Sequence, residues 1–236
     1  MFALIILILS LFYLNVANAE EVGKVTALQG IVDILREGKA PAVTVKINDP
    51  VYLNDIIRTK TDSRAEITFK DGTVVKVAPR SRIDIKEYFT DAHSLRVTLN
   101  LQRGKVGAHI SKQSVEKIKA SPQANRFEIK TPIVVAGVRG TNYIVSHYLA
   151  YSTVTVITGR VYCYNPQIPE KVIEVEAGQL TVIKEGTPPS PPRKLTPSEI
   201  QREQRDITPT IAEEREKERI DKTMIIGVSE EKPLAS

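Results

Sequence analysis

The sequence of 236 residues is poor in the residues on which disulfide frameworks and metal sites depend. It has one cysteine, three histidines and no tryptophan. The single cysteine, Cys163, excludes an intramolecular disulfide. His93, His109 and His147 stand far apart, and none has a second His, Cys or carboxylate at a spacing typical of zinc. We therefore predict no metal site and no cofactor, and a fold that depends on its apolar core.

Motifs of the common enzyme classes are also missing. There is no Gly-x-Ser-x-Gly nucleophile motif, and the glycines at 137 and 140 are not followed by the Lys-Ser/Thr pair of a phosphate-binding loop. Ser146 and His147 are adjacent, and adjacent strand residues point to opposite faces, so they cannot act together as nucleophile and base. The sequence predicts a protein that is not an enzyme.

Charge of one sign is not concentrated anywhere in the sequence. The formal net charge is +5, yet the basic residues are spread thinly among the predicted strands, without a block of five or more like charges. This distribution argues against a nucleic-acid partner. Acidic glycans or other anionic polymers fit such a surface better.

One long apolar run is present, from Phe2 to Leu14, and it is followed by Ala17-Asn18-Ala19. Small residues in this spacing are typical of a signal-peptidase site, so we predict that residues 1–19 are a signal peptide and that the mature protein is periplasmic or secreted. No Lys or Arg precedes the run, which leaves an uncleaved membrane anchor as the alternative. Only in that case do we expect contact with a membrane.

Period-two alternation of apolar residues dominates residues 22–184. In RAEITFK, residues 64–70, the side chains of Ala65, Ile67 and Phe69 share one face, as in a half-buried strand. No period of 3.6 residues is sustained before residue 195. The pattern predicts an all-β unit over residues 20–186, a sandwich or roll of more than ten short strands.

Asp71-Gly72 lies between two of these strands, after Phe69 and before Val74. Both residue types tolerate a positive φ, so the pair predicts a β-hairpin with a type I′ turn. Asp71 and Gly72 are therefore assigned as structural turn residues.

The amino-acid composition of the chain changes after Gly186. The stretch GTPPSPPRKLTPSE is rich in proline and predicts a linker or an extended strap, because proline lacks the N–H group that a sheet ladder needs. The charged residues that follow predict either a solvated helix or a partly disordered tail. We take residues 187–236 as this linker and tail.

Several of these motifs together resemble the FecR-like domain of bacterial envelope proteins. The resemblance covers residues 22–184, and it is carried by Gly23-Lys24-Val25, Asp55-Ile56-Ile57-Arg58-Thr59, Asp71-Gly72-Thr73, Gly104-Lys105-Val106, Thr131-Pro132, Ala136-Gly137-Val138-Arg139-Gly140-Thr141 and Ala177-Gly178-Gln179. It implies a jelly-roll-like β-sandwich outside the cytoplasm. In signalling members the domain relays the ligand state of a transport receptor to a sigma factor. This chain has no domain before its apolar segment, so we do not expect that role here.

The stretch TPIVVAGVRGTNYIVS contains the candidate site. Gly137 and Gly140 allow the backbone to turn or bulge between two strands. Arg139 either folds back onto turn carbonyls or a carboxylate such as Glu128 or Asp84, or presents its guanidinium to a partner. On the second interpretation, the partner-binding residues are Arg139, Gly140, Thr141, Asn142 and Tyr143.

Two classes of noncatalytic function follow for such an exported β-domain. One is an interaction or sensory module of the cell envelope that binds a protein through the Arg-Gly-Thr turn or a sheet edge. The other is a structural domain or a binder of glycan or peptidoglycan. Carbohydrate sites use exposed aromatic platforms, so the second class requires that the tyrosines at 143, 148, 151, 162 and 164 face solvent on one side.

Overall fold

The computed structural model describes residues 20–138 and 142–210, and over these residues the chain is almost entirely β-structure. The strands are β1 (Glu21–Gln29), β2 (Val32–Leu35), β3 (Val43–Thr44), β4 (Pro50–Tyr52), β5 (Ile56–Thr59), β6 (Arg64–Phe69), β7 (Val74–Val77), β8 (Arg82–Thr90), β9 (Leu95–His109), β10 (Arg126–Lys130), β11 (Val135–Val138), β12 (Asn142–Tyr148), β13 (Tyr151–Thr158), β14 (Arg160–Tyr164), β15 (Ile173–Glu176), β16 (Gln179–Lys184) and β17 (Arg193–Lys194). The helices are α1 (Lys112–Ala120) and α2 (Pro197–Ile207), and Arg36–Gly38 forms a 3₁₀ turn.

The strands form two layers that share β9. Sheet A has the order β4-β1-β6-β7-β9-β12-β13-β16-β17, and sheet B has the order β3-β2-β5-β8-β9-β10-β11-β14-β15. Neighbouring strands are antiparallel except β9 and β10. The all-β prediction is confirmed, and the period-two pattern is its cause, because one face of each sheet is buried.

A sharp bend in β9 makes the shared strand possible. Its first part pairs with β8 in sheet B, and from Gly104 onward it pairs with β12 in sheet A. Gly104 has φ +92°, and a Cβ there would lie 2.6 Å from the Cα of Ser81. Glycine is therefore required at this bend for both backbone conformation and space.

The core lies between the two sheets. It is built from apolar side chains of both layers that are at most 1% exposed, such as Val25, Ile67 and Val145 of sheet A and Ile34, Leu99 and Phe127 of sheet B. Burial of this continuous apolar interior is the main stabilising term of a chain without disulfides.

Helix α1 closes one end of the sandwich and was not predicted from the sequence. It is nine residues long, and Ser114, Val115 and Ile118 are its buried residues. So short an apolar stripe gives almost no periodic signal. The oxygen of Ser111 caps the helix by accepting a hydrogen bond from the backbone N–H of Ser114.

The hairpin at Asp71-Gly72 is confirmed, but the predicted turn type is wrong. Gly72 has φ +81°, whereas Asp71 is not among the residues of positive φ. The N–H of Gly72 donates to the carbonyl of Phe69, and the N–H of Phe69 donates to the carbonyl of Thr73. This is a three-residue loop in which a type I turn is followed by a left-handed glycine.

Residues 187–210 pack on the β-unit as an extended strap followed by α2. The N–H of Ser190 donates to the carbonyl of Val182, and β17 extends sheet A beside β16. The predicted boundary after Gly186 therefore marks a change of composition and not the end of the folded unit. Residues 211–236 lie outside the described residues, as does the predicted signal peptide. Within the described ranges, no helix is long and apolar enough to cross a membrane.

Candidate functional site

The predicted site lies where the chain passes from one sheet to the other. Val138 ends β11 in sheet B, and Asn142 begins β12 in sheet A. Arg139, Gly140 and Thr141 join these two strands and lie outside the described residues. Asn142 is half-buried and pairs with His109 of β9, so the crossing is located at the end of the sandwich that α1 closes.

Gly137 is not a turn residue, which corrects the prediction. It lies inside β11, opposite Tyr162 of β14, and a Cβ at this position would come within 2.0 Å of the Cζ atom of that tyrosine. The absence of a side chain lets the aromatic ring lie across the strand. From there the Tyr162 hydroxyl donates a 2.8 Å hydrogen bond to Glu128, and burial together with this carboxylate raises the pKa of Tyr162.

Tyr143 is fully buried, so its assignment as a partner-binding residue is wrong. It is 0% exposed, and its hydroxyl faces the carbonyl of Ala136 inside the core. Burial raises the pKa of Tyr143 well above its usual value. Successive residues of a strand point to opposite faces of the sheet. Because β12 begins at Asn142 with its side chain outward, the side chain of residue 143 points into the core.

The two carboxylates considered as partners of Arg139 are bonded to other described groups. Besides Tyr162, Glu128 has the Lys130 ammonium at 3.0 Å. Asp84 accepts a 2.7 Å hydrogen bond from the side-chain amide of Gln102. Both carboxylates are nearly buried, so each belongs to the polar network on the outer face of sheet B.

Asp71 connects the β6–β7 hairpin to α1 at this same end. Its carboxylate accepts hydrogen bonds of 2.6 Å from the hydroxyls of Thr73 and Ser114, and one of 3.2 Å from Tyr88. Tyr88 in turn accepts from the backbone N–H of Asp71. Asp71, one of the two turn residues of the prediction, thus fixes the helix that covers the end of the core.

A groove on the outer face of sheet A borders the crossing. It has a volume of about 340 Å³ and is lined by Glu66, Val74, Lys76, Gly107, Ala108, His109, Asn142, Gln204, Ile207 and Thr208. The floor is apolar where Gly107 and Val74 lie, and the walls carry one ion pair, between Lys76 and Glu66 at 3.7 Å. We call this the sheet A groove.

Helix α2 forms one wall of the sheet A groove and is held there by an apolar and an ionic contact. Ile207 lies over Gly107, where a Cβ would meet its Cδ1 atom at 2.3 Å. The Lys105 ammonium contacts Glu203 at 3.0 Å and Asp206 at 2.8 Å. Burial alone would lower the pKa of Lys105, but the two carboxylates outweigh it, so the pKa is raised.

A second, smaller depression lies on the sheet B side of the crossing. It has a volume of about 210 Å³, and Ile118, Pro122, Val138, Tyr162, Val172 and Glu174 are among its lining residues. Val138, the last residue of β11, lines this depression, and Asn142, the first residue of β12, lines the sheet A groove. Sequence reasoning missed both, because their walls come from segments that are distant in the chain.

A serine and a histidine do meet, but not the adjacent pair considered from the sequence. His147 Nδ1 lies 2.9 Å from Ser152 Oγ, which lies 3.0 Å from the hydroxyl oxygen of Thr131. Ser152 is 0% exposed, so no substrate reaches it. Burial lowers the pKa of His147, which keeps the imidazole neutral near pH 7. This cluster ties the β12–β13 hairpin to the β10–β11 turn.

Residues 20–138 and 142–210 contain no group of three or more His, Cys, Asp or Glu side chains placed to hold a metal ion. The tyrosines also fail to form one platform, since Tyr143 is buried whereas Tyr148 and Tyr151 are 43% and 41% exposed. Tyr162 and Tyr164 are half-buried on the other sheet. The described residues thus form two grooves, and their tyrosines do not share one exposed platform.

Comparison with known proteins gives a match to a protein family and matches to solved structures. Residues 55–162, from the start of β5 to β14, match the family model described as FecR protein, which confirms the resemblance of the sequence. No curated protein matches the chain. Two crystal structures of a protein provisionally assigned as an anti-sigma factor, from Parabacteroides distasonis, are 16% identical to it with a TM-score of 0.49. The match covers 62% of this chain and 62% of the other.

Proposed function

Because the chain carries a FecR domain, we propose that it is an exported interaction or sensory module of the bacterial cell envelope that binds a protein partner beside the sheet crossing. The family is one of noncatalytic regulatory modules associated with the envelope. Beyond what the family implies, we propose that the protein is exported, that it is periplasmic or secreted, and that it binds its partner at a defined surface.

The observation that carries the proposal is the seating of α2 on sheet A. This face already receives a helix through an apolar side chain over Gly107 and through carboxylates on Lys105. The sheet A groove continues from that contact to Asn142, at the start of β12. A peptide segment of the partner would lie in this continuation, next to Arg139, Gly140 and Thr141.

The walls of the groove suit a peptide better than a polymer of sugars. They combine apolar side chains with an imidazole, amides, a hydroxyl and the Lys76–Glu66 ion pair. Such a surface accepts main-chain groups by hydrogen bonding and small apolar side chains by burial. A planar guanidinium at residue 139 would add recognition of a carboxylate.

The sheet edges offer less than the groove does. The edge strands β3 and β17 have two residues each, β4 begins with Pro50, and β15 carries Glu174 and Glu176. Short strands, proline and charge are the features that prevent a further strand from pairing. Addition of a partner strand to an edge is therefore the weaker of the two binding modes.

Site-specific photocrosslinking tests the proposal. A photoreactive residue is placed at His109 in the groove, and a matched probe is placed at Ile47, an exposed residue of the β3–β4 loop. Both proteins are expressed in the source cell and irradiated, and crosslinked partners are identified by mass spectrometry. We expect one defined partner at position 109, none at 47, and loss of the crosslink when Arg139→Ala is added with the fold unchanged by circular dichroism.

Three other results would contradict the proposal. Equal crosslinking at both positions would place the contact elsewhere, and an unchanged yield with Arg139→Ala would remove Arg139 from the site. Retention of the protein on purified peptidoglycan without a protein crosslink would support the polymer-binding alternative instead.

A further inference from the structure

The end of the sandwich opposite α1 carries an uncovered apolar tip. It is the turn between β12 and β13, residues 148–151 with the sequence Tyr-Leu-Ala-Tyr. Leu149 is fully exposed, and Tyr148 and Tyr151 beside it are about two-fifths exposed, with ring centroids 5.7 Å apart. Burial of Leu149 would be favourable, and no described side chain provides it.

Basic residues lie at the same end of the sandwich, on the strands next to the tip. Arg82 of β8 pairs in register with Arg103 of β9. The next residue of β9, Gly104, pairs with His147, the residue before Tyr148. On the far side of the tip, Tyr151 pairs with Lys184. The tip therefore stands between two arginines on one side and a lysine on the other, with Glu185 as the neighbouring acidic residue.

The paired arginines are not neutralised by other described side chains. Like charges directly opposite each other in an antiparallel pair are unfavourable, yet neither guanidinium has an ion-pair partner in the described ranges. The Nε atom of Arg82 is buried and lacks a hydrogen-bond partner. The Oδ2 atom of Asp84, two residues along β8, is held by Gln102 at 2.7 Å and by Lys86 at 3.4 Å, whereas its Oδ1 atom is buried and has no hydrogen-bond partner. Arg103 is exposed, so it is the cation of this pair that an external anion would reach.

We propose that this end of the protein docks on a bilayer of anionic phospholipid. Leu149 enters the interfacial region, Tyr148 and Tyr151 lie at the level of the headgroups, and the exposed Arg103 and Lys184 bind lipid phosphates. Aromatic residues and an apolar side chain flanked by Arg and Lys are the combination that membrane interfaces favour. The surface is distinct from the proposed partner site, which lies at the α1 end, and does not involve residues 1–19.

A fluorescent label beside the tip tests the docking. An environment-sensitive dye is attached to Ala150→Cys, which leaves Leu149 and both tyrosines in place. The native Cys163 is fully buried, and burial raises the pKa of its thiol to about 12, so the dye reacts at position 150. A matched label at Ile47→Cys, also an exposed site, is the control. Each protein is the full chain, and the same N-terminus in all variants is verified by mass spectrometry.

Vesicles that contain phosphatidylglycerol should shift the dye emission at position 150 to the blue, whereas pure phosphatidylcholine should not. The label at position 47 should not respond. Adding Leu149→Ser should weaken vesicle affinity about tenfold, and Arg103→Gln should weaken it about fivefold and reduce its salt dependence.

Two results would overturn the proposal. The first is a dye at position 150 that does not respond to anionic vesicles, or responds no less after Leu149→Ser. The second is displacement from vesicles by millimolar inorganic phosphate at constant ionic strength, which would make the arginines a site for the free anion. Circular dichroism of each variant separates these outcomes from misfolding.

Discussion

Replacing Gly137 by alanine should destabilise the protein, although the same change in an ordinary strand is mildly stabilising. Glycine in a strand interior costs roughly 0.5–1 kcal/mol relative to alanine. Here a Cβ would lie 2.0 Å from Cζ and 2.1 Å from the hydroxyl oxygen of Tyr162, so the ring has to move away. The hydroxyl then loses its 2.8 Å hydrogen bond to Glu128.

The size of the effect follows from these terms. A hydrogen bond to a charged group is worth about 1.5–3 kcal/mol, and partial exposure of Tyr162 places this one at the lower end. Replacing a strand glycine by alanine recovers part of this free energy. The lost hydrogen bond minus that stabilisation leaves a net destabilisation of about 1 kcal/mol. The sign, opposite to that of an ordinary strand glycine, is the informative part of the result.

Urea unfolding followed by circular dichroism measures the change, and a double-mutant cycle assigns its cause. In a Tyr162→Ala background, Gly137→Ala should be neutral or stabilising, because no ring lies over the strand. The two substitutions should therefore couple by about 1–2 kcal/mol. If Gly137→Ala cost the same free energy in both backgrounds, the ring would not be the reason for the glycine.

Three further substitutions test other contacts of the fold. Gly104→Ala should cost about 3 kcal/mol or more in the free energy of unfolding, because residue 104 combines φ +92° with a backbone contact of 2.6 Å to Ser81; a loss below about 1 kcal/mol would contradict this. Asp71→Ala should speed amide exchange in α1 more than in the sheets, since it removes the hydrogen bond from Ser114, and uniform acceleration would refute the anchoring role. The pKa of Lys105 is raised in the folded protein, so its ion pairs with Glu203 and Asp206 stabilise the fold fully below the usual pKa of 10.5. This stabilisation is lost as pH rises through the higher pKa of the folded state. Protection factors of the α2 amides, which correct for the intrinsic rise of exchange with pH, should thus be high at neutral pH and fall only above pH 10.5, whereas in Lys105→Gln they should be low at both.

The strands were predictable because their signal is local. In β6 the alternation of Ala65, Ile67 and Phe69 appears directly in the sequence, and one buried face is enough to produce it. The hairpin at Gly72 was predictable for the same reason. The turn type was not, because it depends on how many residues the flanking strands leave unpaired, and pairing is decided across the sheet.

The candidate site was less predictable, because it depends on contacts between distant segments. The sequence shows a glycine at 137, but the reason for it is Tyr162, which is 25 positions later and becomes its neighbour only when β14 pairs with β11. Tyr143 was misplaced because the face of a strand residue depends on where the strand begins. The position at which β12 begins is set by how the chain crosses from one sheet to the other, and not by the residue types around Tyr143.

The two proposed surfaces are linked by the geometry of β12. This strand begins at Asn142, beside the sheet A groove, and ends at Tyr148, at the apolar tip. Seven residues in extended conformation span about 20 Å. A module docked on lipid by its tip would therefore present the groove roughly 20 Å from the bilayer surface, at a distance fixed by a strand within a closed core. Since the tip and the groove share no side chain, Leu149→Ser should weaken docking about tenfold without changing the crosslink at position 109. Arg139→Ala should remove the crosslink without changing docking.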